Sequence, residues 1–181
     1  MDFKTKPASR EDIRGIAKIV RKIFEDCISE DGLYVDAIKC LELVHEKFKE
    51  VSNITVEICE DEELGNNPGR CTPDFEGNYH IQIKESVYER ATNGSGGDRM
   101  HIMHEISHPI MCIFGYTPIL NREFLNKELK AFESMEWQAK ALAGEIMMDY
   151  DKTRGMSVLK LQSYCGVSLD AARYRKNNYN Y

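Results

Sequence analysis

The sequence predicts an α+β protein that is mostly helical and has one small sheet. Segments with helical apolar spacing occupy both ends of the 181-residue chain. The middle holds short, alternating, β-branched segments with brief connections. Because these connections look too short for helical crossovers, we expect the sheet to be antiparallel. With 42% hydrophobic and 30% charged residues, the composition is that of a folded domain rather than a disordered chain.

Two helices are predicted at the N-terminal end. Residues 9–26 begin with Ser9, which can cap a helix, and Asp12 stands three residues further on, as in a capping box. After an Asp-Gly break, residues 35–50 carry a second apolar stripe at helical spacing. We expect both helices to serve as scaffold.

The predicted sheet lies in the middle of the chain. Residues 54–59 and 79–84 alternate and are rich in β-branched side chains, which predicts two strands. An acidic loop containing glycine and proline follows the first strand. A third short strand is expected near residues 70–72.

Further helices are predicted after the sheet. One spans about 99–114, with Asp98 as its cap and Gly115 at its end. Residues 128–149 predict a long amphipathic helix. A last pair of short helices occupies about 156–177, with Gly166-Val167-Ser168 as the turn between them.

The composition disfavours several classes of function. A net charge of −6 opposes sequence-independent attraction to nucleic acid, apart from a local basic patch near Arg173, Arg175 and Lys176. No run approaches the roughly 20 apolar residues of a membrane span, and the polar N-terminus lacks a signal-peptide core. The six cysteines form no C-x-x-C pair, so we expect free thiols in a cytoplasmic protein.

The strongest chemical signal is the H-E-x-x-H string His104-Glu105-Ile106-Ser107-His108. Residues four apart share one face of a helix, so both imidazoles can bind one metal ion. Glu105 lies beside such an ion, where it can accept a proton from an attacking water. The alternative of two ordinary histidines is weakened by the apolar surroundings of the motif, in which unpaired polar groups are costly.

A catalytic zinc site usually has a third protein ligand. Glu136 falls inside the apolar stripe of the helix predicted at 128–149, and a carboxylate there needs a partner. Glu133, nearer the rim of the stripe, and Glu145, across from it, are the alternatives. The burial argument favours Glu136. Nitrogen and oxygen ligands also suit other divalent ions.

Residues 99–108, Arg-Met-His-Ile-Met-His-Glu-Ile-Ser-His, resemble the active-site helix of the ImmA/IrrE metallopeptidases. The segments at 136–148 and 164–173 resemble later parts of that family. The resemblance implies a minimal zincin-like fold over 1–155, with the sheet packed on zinc-bearing helices, and residues 156–181 as a helical part of the same unit. It also implies Glu136 as the third zinc ligand and a helix-turn-helix repressor as the substrate, in a mobile element or stress response.

The chain departs from the family pattern at several positions that are not candidate ligands: His101, Ser107, Lys140 and Asp149. Pro109 follows the second histidine directly and should kink the helix there. His101 precedes His104 by one turn and therefore lies on the same face. It is either a solvated histidine or one that supports a ligand or contacts substrate.

These observations support three hypotheses. The first is a zinc endopeptidase with Glu105 as general base. The second is a non-enzymatic regulator that binds a repressor through the same fold, although a structural zinc has no need of Glu105. The third, DNA binding by the C-terminal helix pair, is opposed by the acidic charge. The sequence leaves the donor to the oxyanion open among Tyr116, Tyr150, Tyr164 and Tyr174.

Overall fold

The fold is mixed α and β, as the sequence predicts. The computed structural model describes residues 2–74, 76–119 and 129–178. It is 57% helical, with eight α-helices and one three-stranded sheet among the described residues, which confirms the α+β class. The helices are α1 (Arg10–Ile23), α2 (Ala37–Phe48), α3 (Glu85–Thr92), α4 (Gly96–Ile113), α5 (Met135–Met147), α6 (Tyr150–Thr153), α7 (Val158–Cys165) and α8 (Leu169–Asn177).

The N-terminal helices begin at side-chain caps. The backbone N–H of Asp12 donates to the hydroxyl of Ser9, and the Asp12 carboxylate accepts from the Ser9 backbone N–H. The predicted capping box is therefore confirmed. Helix α2 begins after Asp36, whose carboxylate accepts from two backbone amides of the first turn.

The sheet contains β1 (Ile54–Cys59), β2 (Gly69–Pro73) and β3 (Tyr79–Lys84) in the order β1-β3-β2. Strand β2 pairs antiparallel with β3, but β1 and β3 are parallel. The predicted antiparallel sheet is therefore wrong for one of the two pairs. Strand β3 lies between β1 and β2, so the consecutive strands β1 and β2 are both edge strands and are not neighbours.

Helix α4, which carries the H-E-x-x-H string, begins three residues earlier than predicted. Its cap is Ser95, which accepts from the backbone N–H of Asp98. Asp98, the predicted cap, instead forms a two-pronged ion pair with Arg90 of α3, a helix absent from the sequence prediction. Gly115 follows the end of α4 with a φ of 83°, a conformation that favours glycine.

Helix α5 is shorter than the helix predicted at 128–149. It begins at Met135 behind the cap Ser134, and residue 128 lies outside the described residues. Phe132, an apolar residue within the helix predicted at 128–149 and expected to be buried there, is 43% exposed. The reason is tertiary: the backbone around 132–135 hydrogen-bonds to the N-terminal segment, so these residues do not continue the helix.

The C-terminal pair α7 and α8 turns at Gly166, with Ser168 as the cap of α8, as predicted. Leu161, Cys165 and Ala172 belong to the same apolar cluster as the cores of the other helices. Arg175 is buried and paired with Glu145, so the predicted basic patch loses this member. Within the described residues, none of the helices has the length and apolarity needed to cross a membrane.

Candidate metal centre

Helix α4 directs two imidazoles at one point. His104 and His108 stand one turn apart, and their Nε2 atoms are separated by 3.1 Å. The ring planes meet edge to face, with centroids 4.6 Å apart. A neutral imidazole that carries its proton on Nδ1 has a free lone pair on Nε2. The two Nε2 lone pairs therefore converge, as two ligands of a single ion require.

Glu136 brings a carboxylate to the same point from the first turn of α5. Its Oε2 atom is 3.2 Å from His104 Nε2, and its Oε1 atom is 3.7 Å from His108 Nε2. One ligand atom from each of the three residues lies within 4.8 Å of the others. The structure thus brings together the three side chains that the sequence proposes as ligands.

The donor set and its spacing fit a tetrahedral zinc ion. With zinc to ligand bonds of about 2.0–2.1 Å, ligand atoms at the corners of a tetrahedron are about 3.3 Å apart. His104 Nε2 lies 3.1 Å from His108 Nε2 and 3.2 Å from Glu136 Oε2, and both separations lie close to this value. Two imidazole nitrogens and one carboxylate oxygen also make up the three-ligand set of many catalytic zinc sites.

Glu105 lies beside these ligands, beneath the edge strand β2, and is only 6% exposed. The strand approaches so closely that a Cβ atom added to Gly69 would lie 2.8 Å from Glu105 Cγ. Burial is the main reason that the pKa of Glu105 is raised to about 7, with the charge of Glu136 adding to it. The Cys71 backbone and His104 act in the opposite direction.

Two of the candidate ligands, His108 and Glu136, also have shifted pKa values. Burial, followed by repulsion from His104, lowers the pKa of His108 to about 4. The hydrogen bond with His104 is the main cause that lowers the pKa of Glu136. Neutral imidazole and ionised carboxylate are the forms that bind metal ions.

The N-terminal segment positions Glu136, a role that the sequence did not indicate. Asp2 accepts hydrogen bonds from the Ser134 hydroxyl (2.6 Å) and from the backbone N–H of Glu136 (3.2 Å). Lys4 and Ser134 form an antiparallel bridge, and the Thr5 N–H donates to the Glu133 carbonyl. These contacts fix the start of α5, which carries the third candidate ligand.

The other two candidate ligands are engaged elsewhere. Glu133 forms an ion pair with Lys4 at 3.2 Å. Glu145 is buried, accepts from both terminal nitrogens of Arg175, and lies 3.2 Å from Arg14 Nε. Neither belongs to the cluster of potential ligands, so the geometry favours Glu136.

The departures from the family pattern leave the cluster intact. Helix α4 continues through Pro109 to Ile113. The buried Ser107 hydroxyl donates to the Met103 carbonyl one turn earlier. His101 is exposed and lines a groove together with His104. Tyr174, one of the four tyrosines considered as donors to the oxyanion, lines the same groove.

Comparison with known proteins gives no further assignment. Neither the scan against models of protein families nor the search of curated proteins found a match to this chain. The likeness to the ImmA/IrrE metallopeptidases therefore stays a prediction from the residues quoted above.

Proposed function

We propose that this protein is a zinc-dependent endopeptidase. The observation that carries the proposal is the convergence of His104, His108 and Glu136, whose ligand atoms lie within 4.8 Å of one another, with the carboxylate of Glu105 beside them. A purely structural zinc site would have no use for a neighbouring carboxylate that is not a ligand. The combination of three ligands and one base favours hydrolysis.

The residues divide the work as follows. His104, His108 and Glu136 hold the ion. Zinc, when bound there, polarises the scissile carbonyl and lowers the pKa of a nearby water towards neutrality. Glu105 accepts the proton of the attacking water and later gives it to the leaving amine. Strand β2 holds Glu105 in a largely buried position, which limits the exchange of its proton with bulk solvent.

The substrate is a protein, and the resemblance to the ImmA/IrrE family points to a helix-turn-helix repressor that is cleaved in a regulatory switch. The same resemblance and the six free cysteines support a cytoplasmic location. Binding of nucleic acid by the protein itself is disfavoured by its net charge of −6.

The variant Glu105→Gln tests the mechanism. Glutamine preserves the size of the side chain, so the variant should retain one zinc per chain but lose cleavage by about 10²–10⁴-fold. Zinc content is measured by elemental analysis, with the double variant His104→Ala and His108→Ala as the metal-free control. Cleavage is measured on a repressor captured by the inactive variant.

Two results would contradict the proposal. Full cleavage by zinc-loaded Glu105→Gln would rule out the general base. A wild type that binds a repressor and relieves repression without cutting it would favour the non-enzymatic regulator instead.

A further inference from the structure

A groove of about 930 Å³ opens beside the candidate metal centre. It lies between α4, α5 and α8, and both His104 and Glu136 contribute to its lining. Its volume lies near the upper end of the range of about 300–1,000 Å³ that is typical of ligand pockets. The groove therefore has room for several side chains of a peptide whose backbone passes the metal centre.

The lining of the groove is mainly apolar and includes several small residues. Among them are Ala141 and Gly144 of α5 and Ala171 of α8, and a Cβ atom added to Gly144 would meet nothing within 4 Å. Two larger apolar side chains, Met100 and Trp137, also line the groove. Such a lining is suited to a large apolar side chain, which gains free energy when it leaves water.

Lys140 gives the groove a positive charge. Its Nζ atom lies 5.4 Å from the ring centroid of Tyr174, which also lines the groove. Across the part of the chain that the structure describes, no carboxylate lies within ion-pair distance of Lys140. Two acidic residues line the groove: Glu136 contacts the imidazole of His104, and Asp170 lies 3.6 Å from Arg173. An acidic group of a ligand would complement Lys140.

We propose that this groove binds the substrate peptide on one side of the scissile bond, taking a large apolar residue against α5 and an acidic residue at Lys140. The inference rests on the proposed function, because the metal centre at the groove defines the position of the scissile bond. The small residues set the size of the apolar side chain, and Lys140 sets the preference for the charge beside it.

Peptide binding tests the groove without requiring cleavage. The probe is an array of sequence-diverse peptides, applied to zinc-loaded Glu105→Gln protein. Peptides with a leucine, methionine or phenylalanine next to an aspartate or glutamate should be retained at least about tenfold better than matched peptides with alanine at the apolar position. Absence of binding, or binding without this preference, would overturn the inference.

Two substitutions in the same background separate the parts of the groove. Gly144→Leu places a side chain inside the groove and should reduce binding of the preferred peptides at least about tenfold, because the leucine occupies the space that the apolar side chain of the peptide would fill. The matched control Gly15→Leu lies on α1, also with open space around it, and should bind as before. Lys140→Ala should remove the acidic preference and keep the apolar one. Equal binding by Gly144→Leu would refute the assignment.

Cleavage of the same peptides by the wild type distinguishes the two proposals. Cleavage without any preference for these residues would refute the groove and leave the peptidase standing. Selective binding by the Glu105→Gln protein, together with no cleavage by the wild type, would support peptide binding in the groove but refute both the peptidase and the position beside a scissile bond.

Discussion

The buried ion pair between Glu145 and Arg175 joins α5 to α8, and its loss should strongly destabilise the fold. Both side chains are 5% exposed or less. Both terminal guanidinium nitrogens of Arg175 donate to the Glu145 carboxylate, and Arg14 of α1 approaches it at 3.2 Å. The substitution Glu145→Gln keeps the size of the side chain but removes the charge that faces two cations.

The expected cost follows from this burial. Removing one partner of a buried ion pair typically costs about 3–5 kcal/mol, which is a large part of a total stability of about 5–15 kcal/mol. With an m-value of about 2 kcal/mol/M, the midpoint of urea unfolding should fall by about 1.5–2.5 M. The fluorescence of Trp137, the single tryptophan, reports the transition.

A surface pair provides the control. Lys18 and Asp151 are paired at 2.7 Å, but each is more than half exposed, so Asp151→Asn should leave the midpoint nearly unchanged. A loss below about 1 kcal/mol for Glu145→Gln would refute the argument from burial. Zinc affinity measured under folding conditions should stay close to that of the wild type, because Glu145 is outside the cluster of potential ligands.

Three further predictions concern the candidate metal centre. Glu136→Gln should weaken zinc binding by more than about 100-fold, because loss of a residue that only supports a ligand typically costs about 10–100-fold. Glu133→Gln should change zinc affinity little, and both affinities are measured by competition with a chelator. A larger effect of Glu133→Gln would mean that the wrong carboxylate is assigned. Asp2→Ala should weaken zinc binding by about tenfold, because it releases the backbone that carries Glu136, and unchanged affinity would show that the N-terminal contacts do not position the ligand. Gly69→Ala should retain zinc but lower kcat by about 10²-fold, because the added methyl group displaces Glu105. Gly15→Ala, whose methyl group meets nothing within 4 Å, should leave kcat unchanged. Full activity of Gly69→Ala would show that strand β2 can move to accommodate the methyl group.

The features that the sequence predicts well are local ones. The capping box at Ser9, the end of α4 at Gly115 and the turn at Gly166 all depend on residues within one turn of each other. The shared face of His104 and His108 likewise follows from helical periodicity alone. Because these interactions involve neighbours three or four residues apart, the order of the amino acids is sufficient to place them.

The features that the sequence misses depend on distant contacts. Ser134 is a local signal for the late start of α5, but the pairing that keeps Phe132 out of the helix comes from residues more than 100 positions earlier. The parallel pairing of β1 with β3 likewise depends on β2 occupying the edge, which no pattern within the strands specifies.

The amino-acid sequence by itself predicts the type of chemistry, because H-E-x-x-H places two imidazoles and a carboxylate on one helix. The tertiary structure decided which glutamate joins them. Glu136 is 32 residues from His104 in the chain, and Glu145, another glutamate of α5, is held by Arg175 from α8. The burial argument from the sequence is wrong at both positions, because the Glu136 side chain is half exposed and Glu145 is buried. Only the packing of the helices determines that Glu145 meets a guanidinium and Glu136 a pair of imidazoles.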